Sequence, residues 1–545
     1  MNLFTVFVLS LFLTIALIPI IKRMDFRMNL MDFPDERKIH ELPMSRSGGI
    51  AMALGGIIPV LIWVPMNPLI RSLHVGCALI VIFGVVDDVK SLKYTHKLLV
   101  QTTGALVVMF YGNVRIHFLG NLVPSDFVLP YFLSIALTLI FIVGVTNAIN
   151  LSDGLDGLAG GISMLSFVSI AFLAYRCGNM DLAIMCLAVV GSILGFLRYN
   201  TYPAIVFMGD AGSQMLGFLC AVFTLILTQC NTPYSQITPL FLIGFPILDT
   251  LTVMVERIAN GGSPFKSDKN HLHHKLMKLG LYHSESVLAI YFFQALFISC
   301  AIFLRFYSNG VNFMVFIGLA GTIILLFELS RKKQFHLRVE NESLLGSTSV
   351  LALIGGERFS IRFFFTTLKW GLHLLFFFQC IICESMPRYL GVGAACFIAL
   401  ILITKRVIPK ARKNVLRVVL YCSIPLLMYF STIDAYHWMG PRMVFINNSF
   451  FIILIFFVIA TLNLTKRSDG FKINPLDFLI FIIIIIFPNL PSIHLEDMQI
   501  KMVVAKILIL FFSFDVLLGE LRQEDTFLEM SLLATFSVII LKSFI

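Results

Sequence analysis

Asn147-Ala148-Ile149-Asn150-Leu151-Ser152-Asp153-Gly154-Leu155-Asp156-Gly157-Leu158-Ala159-Gly160-Gly161 lies between two long apolar runs. It sets two asparagines, two aspartates and four glycines where a membrane chain least tolerates unpaired polar groups. A carboxylate in or beside hydrocarbon costs several kcal/mol, so it needs a cation, a donor or water. Asp153 and Asp156 are three apart, as are Asn147 and Asn150, so at helical pitch each pair shares a face. Oxygen ligands converging beside flexible glycines suit a hard cation such as Mg²⁺ and a phosphate-bearing ligand. The plainer alternative is a polar hinge between two membrane helices.

Outward from this stretch the chain is apolar almost throughout. Its 545 residues are 58% hydrophobic, with a mean hydropathy of +0.90. That excludes the soluble globular classes. Runs long enough to span a bilayer recur from end to end, which predicts an all-α polytopic membrane protein. The net charge of +10 is confined to particular loops and reports orientation, so no nucleic-acid partner is expected. No basic residue precedes the first apolar run, while Lys22, Arg23 and Arg27 follow it. That is the reverse of a secretory signal and reads as a first span entering from outside. The ten cysteines are scattered, and Cys380 and Cys383, at the end of an apolar run, read as packed side chains.

Eleven spans are expected near 2–21, 48–64, 72–86, 97–111, 130–147, 157–174, 181–197, 210–228, 236–254, 285–304 and 311–329. Alternation sorts the loops into two sets. One gathers Lys22, Arg23, Arg27, Arg37, Lys38, Arg46, Lys90, Lys93, Arg198, Arg257, Lys266, Lys269, Lys275, Lys278 and Arg331 to Lys333; the other holds only Arg71, Arg115, Arg176 and Arg305. The positive-inside rule makes the first set cytoplasmic. The loop-borne clusters of Asp, Asn and His fall in that same set, although the alternation was not fitted to them. In the outer loop, Val114–Phe118 and Leu122-Val123 alternate like a short β-hairpin. Residues 1–335 thus form one domain, 336–360 a linker, and 361–545 a second membrane domain with about seven spans, near 363–383, 389–403, 416–432, 443–463, 476–489, 502–518 and 528–543. No polar constellation is visible in that second domain.

Four further clusters carry chemistry. Asp87-Asp88 ends the third span, where adjacent carboxylates repel unless a cation lies near; Lys97 opens the next helix within reach of a phosphate. Asp210 begins a helix after Phe207-Met208-Gly209, and free N–H groups there favour anions. Asp249 and Arg257 precede His271-Leu272-His273-His274, which lacks the further local ligands that zinc would want and is better placed to donate to phosphate oxygens. The loop 32–50, with Asp35, Arg37, Lys38, His40 and Arg46 before Gly48-Gly49, reads as a phosphate binder or a positive-inside anchor.

The order of these motifs resembles the polyprenyl-phosphate N-acetylhexosamine-1-phosphate transferases, over roughly residues 1–330. The His-Leu-His-His form, with Ser263-Pro264-Phe265 upstream, is more similar to the UDP-GlcNAc-using, WecA-type branch than to the UDP-MurNAc-pentapeptide branch, which usually carries three consecutive histidines. The resemblance implies attack of undecaprenyl phosphate on the β-phosphorus of a UDP-HexNAc at the cytoplasmic face of the bacterial inner membrane, releasing UMP and initiating a cell-surface glycan. It implies Mg²⁺, with Mn²⁺ as an alternative, held by Asn150 and Asp210. Asp156 and Asn200 are implied uridine contacts, with Phe207 stacking on the base. Asp87, Asp88, Asp153, His271, His273 and His274 are the implied catalytic set, and Lys97 and Arg257 implied substrate contacts. A homodimer is left open, and membrane lipid surrounds the whole. The second membrane domain departs from the family plan, which ends near the eleventh span. A lipid-linked sugar transporter is the competing class, but it would want ionisable groups near the bilayer midplane rather than at one end of the spans.

Overall fold

The computed structural model describes residues 2–23, 25, 30–32, 43–122, 128–229, 232–263, 271–332, 357–384, 386–407, 412–464, 495–520 and 525–544. Asp35, Arg37, Lys38, His40, Pro264 to Asn270 and the predicted span 476–489 lie outside the described residues. The helices form two compact units, one ending with the helix that closes at Lys332 and one starting at Glu357.

The first unit contains α1 (Asn2–Lys22), α2 (Gly48–Trp63), α3 (Pro68–Lys90), α4 (Tyr94–Phe110), α5 (Tyr131–Leu151), α6 (Leu158–Arg176) and α7 (Met180–Asn200). There follow α8 (Gly209–Gln229), α9 (Thr238–Leu242), α10 (Gly244–Ala259), α11 (Leu272–Lys278), α12 (His283–Phe303) and α13 (Asn309–Lys332). All eleven predicted spans are helical, and the chain is an all-α polytopic membrane protein. Among the described residues of this unit, eight helices are long and apolar enough to cross a bilayer. α2 and α4 are shorter, at 16 and 17 residues.

The ninth predicted span is broken, because α9 stops at Leu242 and α10 restarts at Gly244. Pro239 and Pro246 each remove a helical N–H around this point. Backbone freed inside an apolar bundle must find partners. Gln294 of α12 supplies them: its Nε2 donates to Leu242 O at 2.8 Å and its Oε1 accepts from Phe245 N at 3.0 Å. Ser166 Oγ of α6 also donates to Leu242 O, at 2.7 Å.

α8 is the hub. Its apolar stretch is wholly buried, and it packs against α2, α3, α5 and α6. Small residues allow the approach. A Cβ on Gly84 of α3 would lie 2.4 Å from Ala211 Cα, and one on Gly217 would lie 2.7 Å from Thr146 Cα of α5. These contacts bring the Asp87-Asp88 end of α3 beside the Asp210 start of α8.

Two short strands, β1 (Met31–Asp32) and β2 (Met44–Ser45), pair antiparallel with Met31 opposite Ser45. Ser45 also bridges Val206, and Phe207 N donates to Ser45 O at 2.6 Å. The loop after α1 is thereby stitched to the segment after α7. The expected hairpin at 114–123 is absent among the described residues, with a 3₁₀ turn at Gly120–Leu122 instead. Helix side chains take the place of a partner strand: Thr138 Oγ1 accepts from Ile116 N, and Gln229 Oε1 accepts from His117 N and Phe118 N.

The second unit contains α14 (Glu357–Ile382), α15 (Arg388–Val407), α16 (Arg412–Trp438), α17 (Pro441–Leu464), α18 (Leu495–Glu520) and α19 (Asp525–Phe544). Six of its seven predicted spans are therefore helical among the described residues. α14 begins at Glu357, inside the last residues of the expected linker 336–360. Cys380 and Cys383 are free thiols packed in this unit's core.

Candidate active site

Asp88 is buried at the end of α3 and points at the start of α8. Its Oδ1 accepts from Asp210 N at 3.0 Å and its Oδ2 from Ala211 N at 3.3 Å. The helix N-terminus predicted to meet a ligand phosphate is thus capped by a carboxylate from a neighbouring helix. Gly209, at φ +69°, makes the approach possible, because a Cβ there would sit 2.5 Å from Asp88 Oδ2.

Asp87 turns the other way. Its Oδ1 accepts from Leu92 N at 2.7 Å, closing the end of α3. Its Oδ2 forms an ion pair with the Lys97 ammonium, which also binds Asp210 Oδ2 at 2.6 Å. One lysine, contributed by α4, therefore bridges two carboxylates. Arg46, from the loop stitched to Val206, is the second cation. It binds Asp32 Oδ1 at 2.7 Å and lies 3.8 Å from Asp88 Oδ1.

The 147–161 stretch enters beside this cluster. Asn150, in the last turn of α5, shares a 2.8 Å hydrogen bond with Ser213 Oγ of α8. Ser213 Oγ is also 3.0 Å from Gly209 O. Asn150 Oδ1 accepts from the Ser213 hydroxyl, and an amide oxygen has a second lone pair that can meet a cation. The Asp153 carboxylate makes no hydrogen bond among the described residues, and it is pushed up to about 7 by burial and by the neighbouring Asp210, Asp88 and Asp156 charges.

Below these residues, one helical turn deeper, lies a ladder of side-chain amides. Asn147 Nδ2 donates to Gln101 Oε1 at 2.7 Å, and Gln101 Nε2 donates to Gln214 Oε1 at 3.1 Å. The three sit three or four residues from Asn150, Lys97 and Asp210 respectively, and tie α5, α4 and α8 together.

Asp156 and Asn200 have structural partners. Asp156 Oδ2 accepts from Ala204 N at 3.0 Å, and Asp156 N donates to His283 Nε2 at 3.2 Å. Asn200 is buried, accepting from Gly157 N and donating to Val206 O, both at 2.9 Å. Both amide ends of Asn200 are thus held by main chain, which makes it the brace of the Gly157 turn. Phe207 is half-buried, with its backbone tied to Ser45 and Gly48.

The histidine segment is anchored by Asp249 of α10. Asp249 Oδ2 meets His271 Nδ1 at 2.9 Å, and its Oδ1 caps α11 through Leu272 N at 2.7 Å. The His271 and His273 rings stack at 5.7 Å, and His274 follows at 4.2 Å from His273. His273 lies against the aspartate loop, for a Cβ on Gly154 would be 2.5 Å from its Nε2. Burial and the His274 charge hold the His273 imidazole down at about 3. It is a neutral hydrogen-bonding group near pH 7, not the extra cation that its basic loop suggests. Arg257 closes α10, half-buried.

Asp87, Asp88, Lys97, Asn150, Asp153, Asp210 and His273 therefore converge at one set of helix ends. Sequence reasoning did not select Gln101, Gln214 or His283. Their partners in the site lie more than 40 residues away along the chain, so no local spacing announces them.

The pattern of the family described as "Glycosyl transferase family 4" matches residues 70–228, the segment from α3 through α8 that supplies most of this cluster. A Bacillus subtilis protein named "Probable undecaprenyl-phosphate N-acetylglucosaminyl 1-phosphate transferase" is 36% identical over 314 residues, covering 57% of this chain and 87% of the relative. The chain belongs to glycosyl transferase family 4. An Escherichia coli O157:H7 "Undecaprenyl-phosphate alpha-N-acetylglucosaminyl 1-phosphate transferase" is 33% identical over 60% of this chain and 91% of its own length. A Mycobacterium leprae "Decaprenyl-phosphate N-acetylglucosaminephosphotransferase" is 34% identical over 49% and 74%.

In this family 4 enzyme the donor set can be tested against Mg²⁺. Among the described residues, no three His, Cys, Asp or Glu side chains form a metal-holding group. A Mg²⁺ completed by substrate phosphates and water needs only one or two protein oxygens. Asp210 and Asn150 offer those, both hard. Among the described residues, Asp87, Asp88, Asp153 and Asp210 face only Lys97 and Arg46, and Arg46 is shared with Asp32. A surplus of negative charge remains when all four ionise, and a dication fits it.

Proposed function

We propose that the chain transfers GlcNAc-1-phosphate from UDP-GlcNAc to undecaprenyl phosphate at the cytoplasmic face of a bacterial inner membrane, releasing UMP and initiating a cell-surface glycan. The observation that carries this reading is the Lys97 ammonium held between Asp87 and Asp210, beside Asn150 and the free Asp153 carboxylate. Two anions must meet in this reaction, so relief of charge repulsion is the main requirement.

Mg²⁺ held by Asp210 and Asn150 would supply Lewis-acid screening of the diphosphate when bound. Lys97 exchanges carboxylate oxygens for a phosphate oxygen of the incoming substrate. Asp153 is the carboxylate with no hydrogen bond among the described residues, and its raised pKa suits it to take the proton of a monoanionic lipid phosphate at neutral pH. Asp88, with both oxygens engaged by backbone N–H groups, is poorly placed to form a phosphoryl-enzyme bond. This favours single in-line displacement. His273 contributes a neutral donor or acceptor to the sugar-phosphate side.

Purified protein given UDP-GlcNAc, undecaprenyl phosphate and Mg²⁺ should release UMP in step with a lipid-diphospho-GlcNAc of the matching mass. Absence of UMP across UDP-GlcNAc, UDP-GalNAc and UDP-MurNAc-pentapeptide would overturn the assignment.

A further inference from the structure

The second unit holds one buried charge with no counter-charge among the described residues. Lys506 is 2% exposed, in the middle of α18, eleven residues from its start and fourteen from its end. At about 1.5 Å per residue it lies roughly 16 Å or more from either helix end. Its ammonium touches Thr432 Oγ1 of α16 at a long 3.4 Å and sits 5.3 Å from the Phe451 ring centre of α17. Among the described residues no carboxylate pairs with it.

The other charges of this unit are treated differently. Buried Glu529 is held by Lys405 and Arg412 together. Lys542 donates to the backbone carbonyls Ile381 O and Cys383 O. Among the described residues Lys506 has only a hydroxyl and an aromatic face. A protonated lysine that deep in an apolar bundle is costly without a counter-charge.

Within a turn of Phe451 on α17 lie side chains with unmet polar atoms. Asn447 and Asn448 precede Phe451 by four and three residues, so they share its part of α17. Asn447 Nδ2 and Asn448 Oδ1 are buried with no hydrogen-bond partner. Asn447 Oδ1 accepts from Gln379 of α14 at 2.9 Å, while Gln379 Oε1 is left unmet. Of these groups the Lys506 ammonium, the Thr432 hydroxyl and Asn447 Nδ2 are donors, the kind from which oxyanion sites are built, while Asn448 Oδ1 and Gln379 Oε1 are acceptors and take no part. The donors come from α16, α17 and α18, in a region where the sequence reveals no polar constellation.

We infer that the second unit holds an oxyanion site centred on Lys506, with Thr432 and the Asn447 amide as further donors, that takes a phosphate group. The phosphate arrives either as a lipid headgroup or as the free ion. This does not rest on the transferase reading, since none of these residues belongs to the catalytic cluster.

The test uses the full chain carrying Lys97→Met, which removes one of the two cations of the first unit's cluster and so weakens any phosphate binding there. Native mass spectrometry from phosphatidylcholine nanodiscs counts bound undecaprenyl phosphate, with undecaprenol as the neutral control. Equilibrium dialysis with inorganic phosphate covers the free ion. Lys506→Met, close to lysine in shape, should lose at least tenfold in affinity for the phosphate that binds, and Lys506→Arg should keep most of it. Thr432→Val should weaken it several-fold, and decides the matter if Lys506→Met fails to fold. Loss confined to the lipid arm assigns a headgroup, and loss in the dialysis arm assigns the free ion. Equal binding by parent, Lys506→Met and Thr432→Val in both arms would overturn the site and leave Lys506 a neutral amine in an apolar core.

Discussion

The two units handle buried charge in opposite ways. In the first, Asp87, Asp88, Asp210, Lys97 and Arg46 form one connected network at a set of helix ends, and nearly every oxygen has a named partner. Among the described residues of the second, Glu529 is held by two cations and Lys506 has no counter-charge. A carboxylate that faces the start of another helix can use its free backbone N–H groups, as Asp88 and Asp249 do. An ammonium needs carbonyl oxygens instead, and those in mid-helix are already bonded within the helix. A dense site and an isolated lysine are thus two answers to one constraint, set by which part of the neighbouring helices a charge faces.

The strongest way to break this comparison is to remove a charge at each place. Asp210→Asn should lower UMP release by 10³-fold or more while thermal stability stays close to the parent. Glu529→Gln should leave UMP release unchanged and lower the melting temperature. The reverse pattern would mean that the division of labour between the units is wrong.

Asp88→Asn sharpens the distinction within the first unit. Asp88 caps α8, so its loss should lower both activity and stability, by about 1–2 kcal/mol for the cap. If Asp88→Asn and Asp210→Asn lose activity with equal, unchanged melting temperatures, the capping role fails.

A smaller effect is expected at the amide ladder. Gln101→Leu unties α4 from α5 and α8 beneath Lys97, Asn150 and Asp210. The loss should appear as about a tenfold fall in kcat with little change in KM for UDP-GlcNAc. A change in KM alone would place Gln101 outside the positioning of the cluster.

The smallest effect is a pH dependence of the metal-free protein. Asp153 has a folded pKa of about 7, above its ordinary value of 3.8. The folded state therefore binds more protons between those values, and its stability falls as pH rises from about 4 to 7. With EDTA present, the melting temperature should drop across that window and level off above it. Asp153→Asn should flatten the slope, and so should added Mg²⁺; a slope that survives both points to another group.

The helices were legible from sequence because each apolar run must bury or face lipid along its length, whatever its neighbours are. All eleven spans of the first unit and six of the second follow from that alone. The shared face of the Asp and Asn clusters was legible too, since charge asymmetry between loops orients the chain without reference to contacts. The 114–118 hairpin was misread because period-two alternation reports extended backbone, not the partner. Here the partners are Thr138 and Gln229 side chains.

What the sequence by itself determined is which residues reach one rim of the membrane and which chemistry they carry: hard oxygens, one lysine and imidazoles. Only the tertiary structure decided who holds whom. Asp88 caps α8 from 122 residues away, Lys97 reaches Asp210 across 113, and Lys506 meets Thr432 across 74. The reason is physical. Hydropathy and helical pitch act along a single segment, whereas the pairing of polar groups depends on which helix faces pack together, and in this chain small residues such as Gly84 and Gly217 set those approaches.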